Sequence, residues 1–274
     1  MTQSVLVVNP GDTLARARNL MLSKKIGRLV VLEDDKIVGI LTREDLVKAF
    51  TPSRSYWKAR PIDQLLVMHF MQKPVLSIDS NIDLSEAARM MSEKNIGGLP
   101  VTSKGKLVGI ITTHDITRYV SQLSKRGLYV NKYMNKGIAY VSPFHSMNHV
   151  TNLLFKNPVH RVIVIDSENK PVGIISPSNL AFTKFSLSRK VTSKRSVAKG
   201  GEATHIRISY VAMATAGDMM TSPVVIVHEN DTVQSAASIM VTKDLGALPV
   251  LDGVGHMIGL FSKREVLDIA TKEG

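Results

Sequence analysis

The sequence has no cysteine, which excludes disulfides, thiolate catalysis and cysteine-based zinc sites. It has no apolar run near the roughly 18–20 residues that span a bilayer. Its start, MTQSVLVVNPGD, lacks the basic region and apolar stretch of a signal peptide, so a soluble, cytoplasmic protein is expected. There is no G-x-x-x-x-G-K-[ST], G-x-G-x-x-G or H-E-x-x-H motif, and no Ser/His/Asp set can be placed on adjoining loops. No residue is therefore a candidate for catalysis, and a non-enzymatic protein is expected. His145 and His149 are four apart and could share a helix face, but no carboxylate accompanies them, so no metal is expected. What is present is an ordinary globular composition, 44% hydrophobic and 21% charged, carrying a net charge of +12 that points to a polyanionic partner.

Self-similarity organises the 274 residues. GILTREDL begins at Gly39, GIITTHDI at Gly109, GIISPSNL at Gly173 and GLFSKREV at Gly259. Each follows an apolar run (RLVVL at Arg28, GLPVT at Gly98, RVIVI at Arg161, ALPVL at Ala247) across a short polar turn, which reads as a hairpin. Upstream of each hairpin, a capping residue precedes apolar positions three and four apart. Thr13 precedes Leu14, Ala17 and Met21, and Asn81 precedes Leu84, Ala87, Ala88 and Met91. Ser146 precedes Met147, Val150, Leu153 and Leu154, and Asp231 precedes Val233, Ala236, Ala237 and Met240. Before the helices stand VLVV, PVLSI (Pro74 to Ile78), IAYV and PVVIV (Pro223 to Val227). The unit is strand, helix, strand, strand, helix, and one copy alone buries little surface.

The order of elements, the closing G-h-h-[ST]-x-x-[DNE] signature (h apolar), the LPV before the hairpin and the YMNKG and MMTSPV lead-ins (Tyr133, Met219) resemble the CBS repeat. The resemblance covers nearly the whole chain. It implies an α/β (α+β) fold of four β-α-β-β-α CBS repeats paired into two Bateman modules. Module one would span 1–130 with repeats at 1–50 and 65–122. Module two would span 131–274 with repeats at 131–183 and 214–274 and a basic insertion at 184–213.

CBS pairs resemble sensors of adenosine nucleotides, so AMP, ADP or ATP is the implied regulatory ligand, with no required cofactor. Carried over, Asp45 and Asp115 would accept a ribose diol, each beside its hydroxyl, Thr42 and Thr112. His114 and Arg264 would reach phosphate, Val75 and Val224 would flank the base, and Ser262 with Glu265 would form the corresponding pair in copy four. Copy three has Ser176 and Asn179, an amide in place of the acid. Glu44, beside Asp45, would repel a phosphate, which leaves copy two the favoured site. The same [ST]-x-x-[DE] pattern at a helix start is also a capping box that needs no ligand, and both readings stand at this point.

The positive charge is concentrated between repeats. Lys48 to Ile62 carries Lys48, Arg54, Lys58 and Arg60 without an acid. Ile116 to Lys136 carries Arg118, Lys125, Arg126, Lys132 and Lys136, again without an acid. Lys184 to Arg207 carries Lys184, Arg189, Lys190, Lys194, Arg195, Lys199 and Arg207 against Glu202 alone. The last segment reads as a flexible arm or long loop. Tyr56, Trp57, Tyr119, Tyr129 and Tyr133 lie near these cations, where they could stack on unpaired bases or cover an apolar edge. Two function classes follow. The favoured one is a regulator that engages RNA, above all ribosomal subunits, through these segments to silence translation under stress. The alternative is an adenosine-nucleotide sensor that acts on a separate partner protein or as a homodimer, without nucleic acid.

Overall fold

The computed structural model describes residues 1–50, 62–157, 159–182, 189–199, 202–212 and 214–273. Copy one runs β1 (Val7–Val8), α1 (Leu14–Ser23), β2 (Arg28–Glu33), β3 (Lys36–Thr42), α2 (Arg43–Phe50). Copy two runs β4 (Ile78–Asp79), α3 (Leu84–Glu93), β5 (Gly98–Ser103), β6 (Lys106–Thr112), α4 (Thr113–Ser121). A single turn, α5 (Val130–Tyr133), leads into copy three: β7 (Ala139–Val141), α6 (Met147–Lys156), β8 (Val162–Ile165), β9 (Pro171–Ile175), α7 (Pro177–Phe182). A two-stranded insertion, β10 (Arg189–Lys199) and β11 (Glu202–Ala212), separates it from copy four. That copy runs α8 (Ala216–Met219), β12 (Val227–His228), α9 (Val233–Thr242), β13 (Ala247–Leu251), β14 (Met257–Ser262), α10 (Lys263–Glu273).

Each copy builds a three-stranded sheet with its first strand parallel to the second and the second antiparallel to the third. The register shifts at the same place in all four hairpins, between Val31 and Leu32, Val101 and Thr102, Val164 and Ile165, and Val250 and Leu251. The expected four-fold repeat is therefore present down to its irregularities.

Two of the expected helix caps are displaced. Thr13 and Ser146 cap α1 and α6 as anticipated, accepting from Arg16 N and His149 N. α3 instead starts after Asp83, and α9 after Thr232, whose hydroxyl accepts from Ser235 N. Asp231 takes a different backbone donor, His228 N at 2.8 Å. The lead-in strands are also shorter than their apolar runs, and two or three residues before each run the chain meets the sheet of another copy. Thr2 bridges Ile110, Gln72 bridges Ile40, Asn135 bridges Leu260 and Thr221 bridges Ile174. Copies one and two thus exchange lead-ins, as do copies three and four. Close approach demands the signature glycine at each exchange. A Cβ on Gly39, Gly109, Gly173 or Gly259 would strike the sulfur of Met71, Met1, Met220 or Met134 respectively.

The helices pack across a different division. α3 and α4 of copy two lie against α9 and α10 of copy four, and α1 and α2 of copy one against α7 of copy three. The largest core joins Met91, Leu99 and Ile116 to Met240, Phe261 and Val266, all fully buried. Each such side chain contributes ~1.5–3 kcal/mol of burial. Among the described residues, the copy-one core takes from copy three the buried Ala181, with Phe155 and Leu180 at its margin. Sheet exchange and helix packing together close the four copies into a ring around a polar centre.

The insertion is not the irregular arm that its composition predicts. β10 and β11 pair antiparallel over their whole length, from Arg189 opposite Ala212 to Lys199 opposite Glu202. The overlooked signal is the alternation of Ile206, Ile208 and Tyr210, with Gly200 and Gly201 between the two halves.

Candidate functional site

Every signature turn ends a strand and starts a helix, so the first turns of α2, α4, α7 and α10 meet near the centre of the ring. In each copy the signature hydroxyl and its backbone N–H both donate to one oxygen of the residue three positions on. Thr42 donates to Asp45 Oδ2 (2.6 and 2.8 Å) and Thr112 to Asp115 Oδ2 (2.9 and 2.9 Å). Ser176 donates to Asn179 Oδ1 (2.9 and 3.0 Å) and Ser262 to Glu265 Oε2 (2.6 and 2.7 Å). The capping box therefore accounts for one oxygen in all four.

The remaining atom differs among the copies. Asp45 Oδ1 accepts from Gln72 Nε2 at 2.5 Å, so the copy-one carboxylate is already engaged by the lead-in of copy two. Asp115 Oδ1 lies 3.7 Å from the amino group of Met1. Asn179 Nδ2 donates to Met219 O (2.8 Å) and Thr221 Oγ1 (3.0 Å), a bond that a carboxylate could not make. Asp45 and Glu265 are buried, and burial pushes both carboxyls above the ordinary range against the bonds from their hydroxyl partners.

Two cavities flank the centre. The smaller, about 490 Å³, is lined by Thr42, Asp45, Val75, Ser262 and Arg264 among others. The larger, about 980 Å³, is lined by Thr112, His114, Ser176 and Asn179. Both volumes suit a small-molecule ligand. Of the residues the sequence singles out, Asp115, Glu265 and Val224 line neither cavity. Val75 lies with the copy-one pair, and Val224, whose neighbour Thr221 bridges Ile174, belongs with copy three.

The two cavities share Arg28, Glu44, Thr113, Arg161 and Lys263; the sequence singles out Glu44 as repelling phosphate, but not the other four. Arg28 opens the central strand of copy one and Arg161 immediately precedes that of copy three, where copies two and four have Gly98 and Ala247. Arg28 Nη1 donates to Gly97 O, and Arg161 Nη1 to His160 O at 2.8 Å. A Cβ on Gly97 or Gly246 would collide with the guanidinium of Arg28 or Arg161. The alternation of Arg with Gly or Ala at this point of the repeat was the available signal.

Burial pulls the Arg28 and Arg161 guanidiniums below their ordinary value; Glu44 opposes this and Arg43 adds to it. The Lys263 ammonium is driven down to about 8, first by burial and then by Arg161, Arg28 and Arg43, with Asp244 opposing. Burial also lowers His114, with Lys263 and Arg118 adding to it. Arg43 Nη1 donates to Ser178 Oγ (2.8 Å) and Arg264 Nη1 to Asn95 Oδ1 (2.8 Å), tying copy one to three and four to two. Such a concentration of partly desolvated cations is unfavourable without an anion and favours binding one.

The candidate nucleic-acid residues are dispersed. Arg54, Lys58 and Arg60, with Tyr56 and Trp57, lie outside the described residues. Lys125, Arg126 and Lys132 are exposed, the last with its ammonium 5.8 Å from the centre of the Tyr129 ring. Arg189, Lys190, Lys194, Arg195 and Lys199 fall on β10 and Arg207 on β11, with Lys194 opposite Arg207. Tyr119 and Tyr133 pack on the copy-two and copy-four core, which favours edge-covering over base stacking for both. His145 and His149 stack, ring centres 5.1 Å apart, and His145 Nδ1 accepts from Ser142 N. Among the described residues no group of three His, Asp or Glu could hold a metal, and no helix is long and apolar enough to cross a membrane.

The CBS domain profile matches residues 1–51, 67–122, 130–183 and 216–272. The uncharacterized protein MJ1225 of Methanocaldococcus jannaschii is 26% identical over 97% of this chain and 95% of its own length. Its crystal structure, described there as a candidate archaeal homologue of g-AMPK, superposes with a TM-score of 0.80 at 22% identity over 98% of this chain and 96% of that one. An uncharacterized conserved protein of Pyrococcus horikoshii follows, with a TM-score of 0.65 at 21% identity over 98% and 97%. With four profile matches in register with four structural copies, this chain belongs to the CBS-domain family.

Proposed function

We propose that this protein is a regulatory binding protein whose ring of CBS repeats takes up an adenosine nucleotide, with phosphate on Arg28, Arg161 and Lys263. The observation that carries the reading is the cationic wall common to both cavities, with the Thr42–Asp45 box lining the smaller and the Thr112 hydroxyl lining the larger. Guanidinium forks and a helix start suit phosphate. Val75 and Thr42 supply the apolar and polar sides expected around a nucleoside in the smaller cavity. The description of MJ1225 as an AMPK-γ homologue supports an energy-linked adenosine ligand. A ligand at 100 times its Kd stabilises the arrangement it prefers by about 2.7 kcal/mol, enough to drive a switch. The test is mass spectrometry of small molecules released from the purified protein, followed by calorimetric titration of AMP, ADP and ATP. Saturable binding of at least one supports the reading; absence of all three overturns it.

A second reading, a regulator of RNA or ribosomes, draws on the basic insertion, which forms a two-stranded ribbon carrying six of the candidate cations. It predicts sedimentation with ribosomal subunits that weakens steeply between 50 and 200 mM salt. Co-migration indifferent to salt, or none, overturns it.

A further inference from the structure

Glu44 is the one acid among the five residues common to both cavities; the others are Arg28, Arg161, Lys263 and Thr113. It stands in the first turn of α2, third in the Thr-Arg-Glu-Asp signature of copy one. The equivalent residues of the other copies are His114, Ser178 and Arg264, none of them acidic. Burial acts to raise the Glu44 pKa. The N–H at the start of its helix, Thr42, Arg28 and Arg161 outweigh that and hold it below the usual carboxylate range. A carboxylate therefore sits at a helix start on the wall it shares with the half-buried Arg28 and Arg161, which is the chemistry a phosphate would otherwise find there.

We infer that Glu44 is a specificity residue: an internal counter-anion at the Arg28–Arg161 wall that penalises each additional phosphate charge and so selects ligands of low charge. This rests on the anion-binding part of the proposed function but not on the adenosine. It also explains how the ring tolerates Arg28 and Arg161 together: the carboxylate opposes the repulsion that Arg43 exerts on both. At an effective dielectric near 20 and with salt screening, one charge on the same cavity wall changes affinity by several-fold for each phosphate charge, roughly tenfold between one phosphate and three.

The test uses the full chain and inorganic phosphate, pyrophosphate and triphosphate as probes, titrated calorimetrically at fixed ionic strength alongside AMP and ATP. In Glu44→Gln, the ratio of triphosphate to phosphate affinity rises roughly tenfold over the original chain, and ATP over AMP rises with it. Glu44→Asp, which keeps the charge, leaves the ratio within about twofold. Glu44→His, which copies the residue of copy two, serves if the glutamine variant does not fold. An unchanged ratio in the neutral variant, or an equal rise in the aspartate variant, overturns the inference. A ratio that moves for the inorganic series while neither AMP nor ATP binds overturns the adenosine reading and leaves this one standing. Failure of every probe on every variant overturns both.

Discussion

Replacing Lys263 by Met removes a cation that the fold keeps at a disadvantage. Its ammonium falls from 10.5 to about 8, mainly through burial beside Arg161, Arg28 and Arg43. At about 1.4 kcal/mol per pKa unit this is ~3 kcal/mol lost to the folded state below pH 8, reduced to ~2 kcal/mol by the group's residual exposure to water. The folded pKa is the lower one, so between pH 8 and 10.5 the unfolded chain binds the extra proton and stability rises with pH. Below pH 8 the penalty is complete. Lys263→Met, nearly equal in volume, is therefore more stable than the original chain at pH 7 by about 2 kcal/mol. That gap closes between pH 8 and 10.5 as the lysine loses its proton. Urea unfolding of both chains at pH 7 and pH 10 measures it. A variant less stable at pH 7, or a gap independent of pH, refutes the reasoning. With pyrophosphate added the order reverses, since only the original chain keeps the full wall.

Further outcomes follow from the same contacts. Phe261→Ala, at a fully buried position in the core joining copies two and four, lowers stability by about 3–5 kcal/mol in urea unfolding; a loss below 1 kcal/mol contradicts that packing. Asn179→Asp places carboxylate oxygens against Met219 O and Thr221 Oγ1 in place of an N–H donor. It costs about 1–3 kcal/mol at pH 7 and less at pH 4, where the acid can donate, read by thermal unfolding. Gly39→Ala drives a methyl into the Met71 side chain and costs about 1–3 kcal/mol in urea unfolding; an unchanged stability contradicts the close approach.

Much of the fold was legible because the same pattern occurs four times, and each copy corroborates the others. The signature glycines, the hairpins and the α1, α3, α6 and α9 faces all lie where periodicity places them. The facing of copies was not legible. An apolar helix face such as that of α3 states that it is buried, not that α10, the last helix of copy four, buries it. The site was legible only at its rim. Thr42, Asp45, Val75 and Arg264 line a cavity, but Arg28 and Arg161 read as charges at the ends of apolar strands. Only the closed ring brings their guanidiniums to one wall. The ribbon of β10 and β11 was obscured by its many cations, which mask the alternation at Ile206, Ile208 and Tyr210.

The central claim is that Arg28 and Arg161 receive a nucleotide's phosphate, and ³¹P NMR of AMP titrated with the purified chain addresses it without intermediaries. The account predicts a phosphorus resonance that shifts or broadens saturably with the original chain and recovers its free position when Arg28 and Arg161 are both replaced by Met in a folded variant. A resonance untouched by the original chain, or perturbed equally by the double variant, contradicts it.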